Sequence, residues 1–332
     1  MIPGVASFLF SPDFWLAVLA CVSLPFVAVG LYTAWVCYKF VPTMTRVFEE
    51  TPIFAPPAEP PHPDAEDVRF QTADGLWLQG CWLRAGPPPR GVVVFSHEFL
   101  SNRWSCQPYC LSLRAAGFDV FAFDFRNHGD SQSLDGYVPI QYPSDYEVLD
   151  IRAALAHVRF RFGGNPPPIA LLGVSRGGGA AILAAAIERD VRAIATDGAF
   201  PTHSLQLAYM LRWAGIFAGH YPMYRLTPTW YFALLSAIAR WLGARRHRCR
   251  FPKIERAIRR IAPRRLLMIH GEKDSYISPD IARQFFDLAA EPKQFWLVPG
   301  AKHNGAIQTA PDAYIERLRA FFATNSAENP QK

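Results

Sequence analysis

The first hydrophobic pattern in the chain is a run of 25 residues without a charge, Phe14–Tyr38. At about 1.5 Å per residue, a helix of this length crosses a hydrocarbon layer of about 30 Å. Aromatic residues lie toward both ends, and Pro25 is tolerated in a membrane helix. No Lys or Arg precedes Lys39, which argues against a cleaved signal peptide, and no polar stripe indicates a buried core helix. We therefore expect a transmembrane anchor over residues 1–50, with its helix at about 14–38.

A proline-rich segment follows the apolar run. Six of the sixteen residues from 51 to 66 are proline, a composition typical of an extended, semi-rigid linker. We expect the main domain to cover residues 67–325 and a short disordered tail to cover 326–332.

From residue 67 on, short apolar runs of β-type alternate with helical patterns. Val148, Ile151 and Leu155, for example, recur at helical spacing between two such runs. The alternation predicts an α/β domain with a mostly parallel eight-stranded sheet and helices on both faces. The eight predicted strands are 68–72, 76–83, 91–96, 119–125, 168–173, 191–196, 265–270 and 294–298.

One connection is much longer than a strand and a helix require. About sixty residues separate the sixth and seventh predicted strands, far more than an ordinary connection in such a domain. The insertion, at about 201–263, therefore predicts a helical lid over the sheet edge at which the parallel strands end.

Charge is concentrated in this same insertion. The net charge of the chain is +6, but the stretch 201–265 alone holds thirteen Lys and Arg against Glu255, so the rest of the chain is acidic. Ten aromatic residues are interspersed with the cations. This mixture suits an anionic lipid surface, and a solvated helical face is the alternative. We do not expect a nucleic-acid partner, and the oligomeric state stays open.

A possible nucleophile lies between the fifth predicted strand and a helical pattern. Residues 173–177 read Gly-Val-Ser-Arg-Gly, the G-x-S-x-G pattern of a sharp strand-to-helix turn. Such a turn exposes a serine hydroxyl at the beginning of a helix, and its close packing needs small residues beside the serine. We therefore expect Ser175 to be a nucleophile.

A serine nucleophile needs a histidine base that is oriented by a carboxylate. Asp274 follows the seventh predicted strand and His303 follows the eighth, which gives the chain order serine, acid, histidine. Asp197, at the end of the sixth strand, is the rival carboxylate. His97, His128 and His270 also lie at strand ends and are expected only to bond to loop backbone.

The oxyanion of an acyl-transfer reaction must be stabilised by backbone N–H groups. One donor should be Arg176, directly after the serine, and the other Phe99, in the loop after the third strand. Since only the amides act, the side chains at these two positions are expected to matter little. We predict no metal and no cofactor, and the six cysteines form no disulfide framework and no CxxC pair.

Six segments together resemble the α/β-hydrolases of the serine-aminopeptidase-like and Bem46-like branch, which includes membrane-anchored members. They read TADGLWLQG, VVVFSH, FDFRNHGDS, GVSRGGG, HGEKDSYISP and PGAKHN. The resemblance implies the α/β-hydrolase fold over about 67–322 and a triad of Ser175, Asp274 and His303. Two residues depart from the family pattern: Glu98 replaces a glycine in the oxyanion loop, and Asn127 replaces another glycine.

These patterns favour a membrane-anchored serine hydrolase that cleaves a lipid-like or acylated ester or thioester. Peptide hydrolysis is the second hypothesis, and a non-catalytic membrane scaffold on the same fold is the third. Lys39 and Arg46 follow the anchor, whereas Asp13 is the one charged residue before it. The positive-inside rule then places the hydrolase domain in the cytoplasm.

Overall fold

A computed structural model describes residues 11–49, 59–219 and 227–323. The elements are numbered here along the chain. The strands are β1 Glu66–Gln71, β2 Trp77–Leu83, β3 Gly91–Ser96, β4 Phe118–Phe123, β5 Ile169–Val174, β6 Val191–Asp197, β7 Arg265–Gly271 and β8 Lys293–Val298. The helices are α1 Pro12–Glu49, α2 Gln107–Ala115, α3 Asp145–Arg161, α4 Arg176–Ala185, α5 His203–Ala218, α6 Thr229–Arg246, α7 Ile254–Ala257, α8 Pro279–Asp287, α9 Ala306–Thr309 and α10 Pro311–Ala323.

The eight strands form one sheet in the order β1-β2-β4-β3-β5-β6-β7-β8. Strand β2 pairs antiparallel with β1 and with β4, and every other pair is parallel. The parallel strands therefore all end at one edge, where sites of open α/β sheets form. The predicted eight-stranded, mostly parallel sheet is confirmed, and each predicted strand lies within two residues of an observed one.

Each face of the sheet has its own hydrophobic core. In β3, Val92 and Val94 join the core under α3, α4 and α8, while Val93 and Phe95 join the core under α2 and α10. This division follows from the period of two in a strand, which turns alternate side chains to opposite faces. Cys106 and Cys110 lie in the second core and are buried free thiols. The helices thus cover both faces, as the alternation of elements predicted.

The N-terminal helix is longer than the predicted segment 14–38. Helix α1 extends to Glu49 and includes Pro25 and Pro42. Its apolar part, Pro12–Thr43, has a mean hydropathy of 2.3 and is long enough to cross a membrane. Most of its side chains up to Tyr38 are exposed, so the helix is not a core helix of the domain. Half of the predicted linker, residues 51–58, lies outside the described part, and so does the whole predicted tail 326–332. Residues 59–65 are free of helix and strand.

Helices α5 and α6 lie in the predicted insertion 201–263 and are called the cap helices below. Residues 220–226, between them, lie outside the described part. The first turn of α5 packs on the carboxyl edge of the sheet, since Leu205 lies in one cluster with Tyr142 and Ile277. Glu255 accepts hydrogen bonds from the backbone N–H groups of His203 and Ser204, at 2.7 and 2.8 Å. The acidic residue of the insertion therefore caps the beginning of α5.

Candidate active site

The turn that carries Ser175 is tight and strained. Ser175 lies between β5 and α4 with φ +50° and ψ −115°, a backbone conformation that side chains rarely adopt. A Cβ atom on Gly177 would come within 2.2 Å of the carbonyl oxygen of Ser96 and 2.4 Å of that of His97. The glycine is thus required by the close approach of β3, and the sharp turn lifts the serine hydroxyl to the carboxyl edge.

The structure brings the three predicted residues into one hydrogen-bonded chain. The Oγ atom of Ser175 lies 2.9 Å from Nε2 of His303, and Nδ1 of His303 lies 2.7 Å from Oδ2 of Asp274. Asp274 follows β7 and His303 follows β8, so neighbouring parallel strands deliver them to the same edge as Ser175. The imidazole therefore contacts the hydroxyl with one nitrogen and the carboxylate with the other.

Asp274 is held as a carboxylate in a buried position. Its second oxygen accepts the backbone N–H groups of Tyr276 and Ile277, both at 2.9 Å, and its side chain is inaccessible to solvent. Burial raises the pKa of Asp274, but the hydrogen bond and charge of His303 and the loop N–H groups outweigh it and lower the pKa below its usual value. The charged form is thus the favoured one beside His303.

The rival carboxylate, Asp197, does not orient the histidine. It is 1% exposed and lies beside the Tyr314 hydroxyl, but neither oxygen makes a hydrogen bond of good geometry within the described residues. Burial raises its pKa to about 7. Its backbone contributes instead, because its carbonyl oxygen accepts the N–H of Ser175 at 2.7 Å. Asp197 thus supports the serine turn through its main chain.

The two predicted oxyanion donors lie on adjacent segments. Strand β3 pairs with β5 so that Ser96 is opposite Gly173, which places the loop of Phe99 next to the turn of Ser175. Arg176 is the first residue of α4, where N–H groups have no partner within the helix. Among the described residues, no acceptor bonds to the N–H of Phe99 or of Arg176. Neither N–H is therefore occupied by a described acceptor, and their role as oxyanion donors stays a prediction.

Glu98 departs from the family pattern, and the structure shows how the loop accommodates it. The side chain is buried and its Oε2 accepts a hydrogen bond from the Ser105 hydroxyl at 3.1 Å. Burial raises the pKa of Glu98 and so favours its neutral form more than an exposed position would. A neutral carboxyl adds less negative charge near an oxyanion site.

The side chain of Arg176 is buried and paired, a structural role that the sequence analysis did not predict. Its guanidinium is 1% exposed, lies 2.7 Å from Glu147 and donates to the Tyr137 hydroxyl at 3.1 Å. It also lies 5.6 Å from the ring centre of Phe99 and 5.9 Å from that of Phe125. One buried cation therefore joins the serine turn, helix α3 and the loop of the second donor.

Glu147 is the anion that makes this burial tolerable. It also accepts the N–H and hydroxyl of Ser144, the cap of α3, at 2.6 and 2.7 Å. Burial raises the pKa of Glu147, but Arg176 and these hydrogen bonds dominate and lower it to about 2. A capping-box pattern in the sequence indicates that Glu147 caps a helix. Its contact with Arg176 joins two different helices, and no local sequence pattern indicates it.

We expect Arg176→Met to lower the free energy of unfolding by about 3 kcal/mol or more, because it leaves Glu147 charged and buried without its partner. Chemical denaturation should show Arg176→Met with Glu147→Gln to cost less than the sum of the two single changes. The control is Arg152→Met on the exposed face of α3, whose ion pair with Glu188 at 2.7 Å should be worth less than about 1 kcal/mol. Equal losses for Arg176→Met and Arg152→Met would contradict a structural role for the buried pair.

The remaining strand-end histidines have the backbone partners that were expected. The ring of His97 contacts the carbonyl of Glu98 at 2.7 Å, that of His128 the carbonyl of Arg126 at 2.9 Å, and that of His270 the carbonyl of Ile277 at 2.9 Å. Burial lowers the pKa of all three.

Asn127 has a left-handed backbone with φ +61°, which this residue tolerates better than most. Its replacement of a glycine is therefore mild. Within the described ranges, no three His, Cys, Asp or Glu side chains are grouped as a metal site.

The sheet order and the strand-end site define a class: a hydrolase with the α/β-hydrolase fold. The chain belongs to the Alpha/beta hydrolase family, whose sequence profile matches residues 75–317. This coverage includes the serine turn and the loops of Asp274 and His303.

The individual proteins that are similar to this chain have low sequence identity to it. The protein YfhR of Escherichia coli O157:H7 is 29% identical over 276 residues, covering 80% of this chain and 83% of its own. The thiohydrolase aneE of Aspergillus aculeatus is 31% identical over 129 residues, 39% of each chain. The esterase Pf2001 of Pyrococcus furiosus has a similar fold, with a TM-score of 0.61 and 20% identity over 83% of this chain and 99% of its own.

Proposed function

We propose that this protein is a membrane-anchored serine hydrolase that cleaves an ester or thioester through an acyl-enzyme on Ser175. The observation that carries the proposal is the hydrogen-bonded chain from Ser175 through His303 to Asp274, with distances of 2.9 and 2.7 Å. A nucleophile, a base and an orienting carboxylate in this geometry are what acyl transfer requires.

In the proposed reaction, Nε2 of His303 removes the proton of Ser175 while Oγ attacks the substrate carbonyl carbon. The N–H groups of Arg176 and Phe99 stabilise the negative charge on the carbonyl oxygen, and Asp274 stabilises the imidazolium. His303 then gives its proton to the leaving alcohol or thiol as the ester bond breaks. Water, deprotonated by His303, then attacks the acyl-enzyme, and His303 returns this proton to Oγ of Ser175 as the bond to the acyl group breaks and the acid is released.

Two considerations favour an acyl ester or thioester over a peptide. One relative is named a thiohydrolase, and several neighbours in fold are named esterases. The long apolar helix α1 would keep the domain at a bilayer, where lipid-like acyl substrates are concentrated. The segments that resemble the serine-aminopeptidase-like and Bem46-like branch keep peptide hydrolysis as the second candidate. A non-catalytic scaffold is disfavoured because all three residues of the triad are present and in contact.

The test is a substrate panel on the purified full-length protein. Acyl p-nitrophenyl esters and acyl thioesters of increasing chain length are compared with aminoacyl p-nitroanilides. We expect turnover of the esters and thioesters, with kcat/KM rising with chain length, and little turnover of the anilides. Faster hydrolysis of the anilides would favour the peptidase instead, and no turnover of any substrate would favour the scaffold.

We expect the hydrolase domain to lie in the cytoplasm, because Lys39 and Arg46 follow the candidate span while Asp13 precedes it. In sealed, right-side-out cells, an external protease should leave the domain intact, and lysis should expose it. The free cysteines of the domain suit a reducing compartment. Digestion of the domain in unlysed cells would show that the domain lies outside the cytoplasm, opposite to this prediction.

We also propose that anionic lipid is a partner of the cap. Arg245, Arg246 and Arg248 are exposed, and each cation near an anionic surface contributes about 1 kcal/mol. Arg264 and Arg265 do not belong to this surface, because they bond to the backbone carbonyls of Ala185 and Phe321.

Replacing Arg245, Arg246 and Arg248 together by Glu should lower turnover of an ester in anionic vesicles but not in neutral ones. For the unchanged protein, the difference in turnover between anionic and neutral vesicles should become smaller as the salt concentration is raised, since ions screen the attraction between the arginines and the anionic lipid. An equal effect on both vesicle types would indicate an ordinary solvated helical face.

A further inference from the structure

Helix α1 packs on the cap helices as well as preceding the domain. Val41, 4% exposed, lies in one hydrophobic cluster with Met210 of α5 and with Phe232 and Leu235 of α6. Val36 and Cys37 pack against the same cluster. The candidate membrane helix and the cap are therefore one packed unit in this structure, and the position of α1 in a bilayer would fix the position of the cap.

The contact between α1 and the cap reaches into the charge-free part of α1. The hydroxyls of Thr33 and Tyr231 lie 3.2 Å apart, and the rings of Tyr32 and Tyr231 stack with centres 6.5 Å apart. Thr33 precedes Lys39, the first cation of α1, by six residues, which is about 9 Å along a helix. With Lys39 at the head-group level, Tyr231 would lie well below it, at the level of acyl chains.

The cap helices expose large apolar side chains beside this contact. On α5, Ile216 and Phe217 are 61% and 58% exposed, and on α6, Trp230 and Leu234 are 64% and 45% exposed. Residues 213–219 and 227–239 carry no charge, and the cations of α6 begin at Arg240. Both α1 and α6 thus change from uncharged to basic as they leave the Thr33–Tyr231 contact, as the head-group boundary would require.

We propose that the ends of the two cap helices, residues 213–217 of α5 and 229–234 of α6, insert among the acyl chains of the leaflet that α1 enters at Lys39. This proposal rests on the membrane anchoring in the proposed function and goes beyond it, because it makes part of the catalytic domain itself a membrane element. The occupant of the exposed apolar face is lipid acyl chain, since both helices that carry the face pack directly on α1, the candidate membrane helix.

The insertion would bring the membrane close to the candidate active site. Tyr209 on α5 donates a hydrogen bond to the backbone carbonyl of Tyr276, whose ring centre lies 5.8 Å from that of His303. Phe217 follows Tyr209 by eight residues, about 12 Å along the helix. An ester held in the leaflet would therefore need to rise only a short distance along α5 to reach Ser175. The structure thus favours a bilayer-resident ester as substrate.

The test uses the full-length protein in lipid vesicles, with a fluorophore attached to a single introduced cysteine and the exposed Cys21 replaced by Ser. The labelled positions are Phe217→Cys in the cap, Phe26→Cys in α1, and Phe160→Cys, a matched exposed phenylalanine on α3. We expect lipids with spin labels in their acyl chains to quench positions 26 and 217, and aqueous iodide to quench position 160 alone.

The outcomes separate this proposal from the anchoring on which it rests. Lipid quenching at position 26 with iodide quenching at 217 would leave the anchor in place and overturn insertion of the cap. Protection of 217 from iodide without quenching by lipid would also overturn it, and would indicate that a second copy covers the face. Iodide quenching at position 26 would overturn the anchor and the insertion together.

A second measurement follows the consequence for turnover. We expect Phe217→Glu to lower the ratio of kcat/KM for a vesicle-embedded long-chain ester to that for a water-soluble short ester by about tenfold, because a charge opposes insertion. Phe160→Glu should leave the ratio unchanged. Equal ratios for the two variants would contradict entry of the substrate from the leaflet.

Discussion

Ser175→Ala should abolish labelling of the full-length protein by a fluorophosphonate and lower kcat for ester hydrolysis by about 10⁶-fold. The hydroxyl 2.9 Å from Nε2 of His303 is the atom that would form the acyl-enzyme, and alanine leaves no nucleophile in its place. In-gel fluorescence after labelling gives the first measurement and initial rates on the preferred ester give the second.

The matched control is Ser275→Ala, because Ser275 is an exposed serine next to Asp274 in the same edge of the domain. It should label as strongly as the unchanged protein. Both variants should unfold at similar denaturant concentrations, since the Ser175 side chain supports no other described contact than that with His303. Persistent labelling of Ser175→Ala would mean that another residue is the nucleophile.

Asp274→Asn should lower kcat by about 10⁴-fold while leaving the fold intact. The carboxylate oxygen 2.7 Å from Nδ1 of His303 orients the ring and stabilises its charged form, and an amide does neither in the same way. Because the pKa of Asp274 is lowered, the carboxylate is present throughout the neutral range, and the loss should persist there. The measurement is kcat for one ester from pH 6 to pH 9, compared between Asp274→Asn and the unchanged protein.

Asp197→Asn is the matched control, an identical change at a carboxyl that ends the neighbouring strand. Its oxygens make no hydrogen bond to His303, and its backbone carbonyl, which accepts the N–H of Ser175, is retained in the variant. We expect a loss of less than about tenfold, far below that of a triad carboxylate. A larger loss for Asp197→Asn than for Asp274→Asn would show that the wrong carboxylate has been assigned.

The sheet and the serine turn were predictable because their signals are local. A strand that is buried on both faces is a short apolar run, and β3 is predicted with its observed bounds. The serine turn needs a small residue at position 177 for one close approach, and the sequence has glycine there. The strand-end positions of Asp274 and His303 then predicted a shared edge, because parallel strands end together.

The contacts of Arg176 and the docking of α1 were not predictable in the same way. Both depend on residues that are far apart in the sequence. Arg176 pairs with Glu147 on another helix, and Thr33 contacts Tyr231, which follows it by 198 residues. The periodicity of α1 gave no sign of the contact, since an uncharged helix presents apolar residues on every side and any of them could pack.

The sequence by itself determined the strands, the class of fold, and Ser175 and His303 of the candidate triad, because each follows from a local pattern and from chain order; it left two strand-end carboxylates as candidates for the acid. The tertiary structure decided which carboxylate faces His303, since Asp274 and Asp197 both end strands at one edge and side-chain direction separates them. It also decided that the side chain of Arg176 is buried as part of the site and that α1 packs on the cap. These are pairings between distant segments, and only the packing of the folded chain selects among the pairings that local patterns allow.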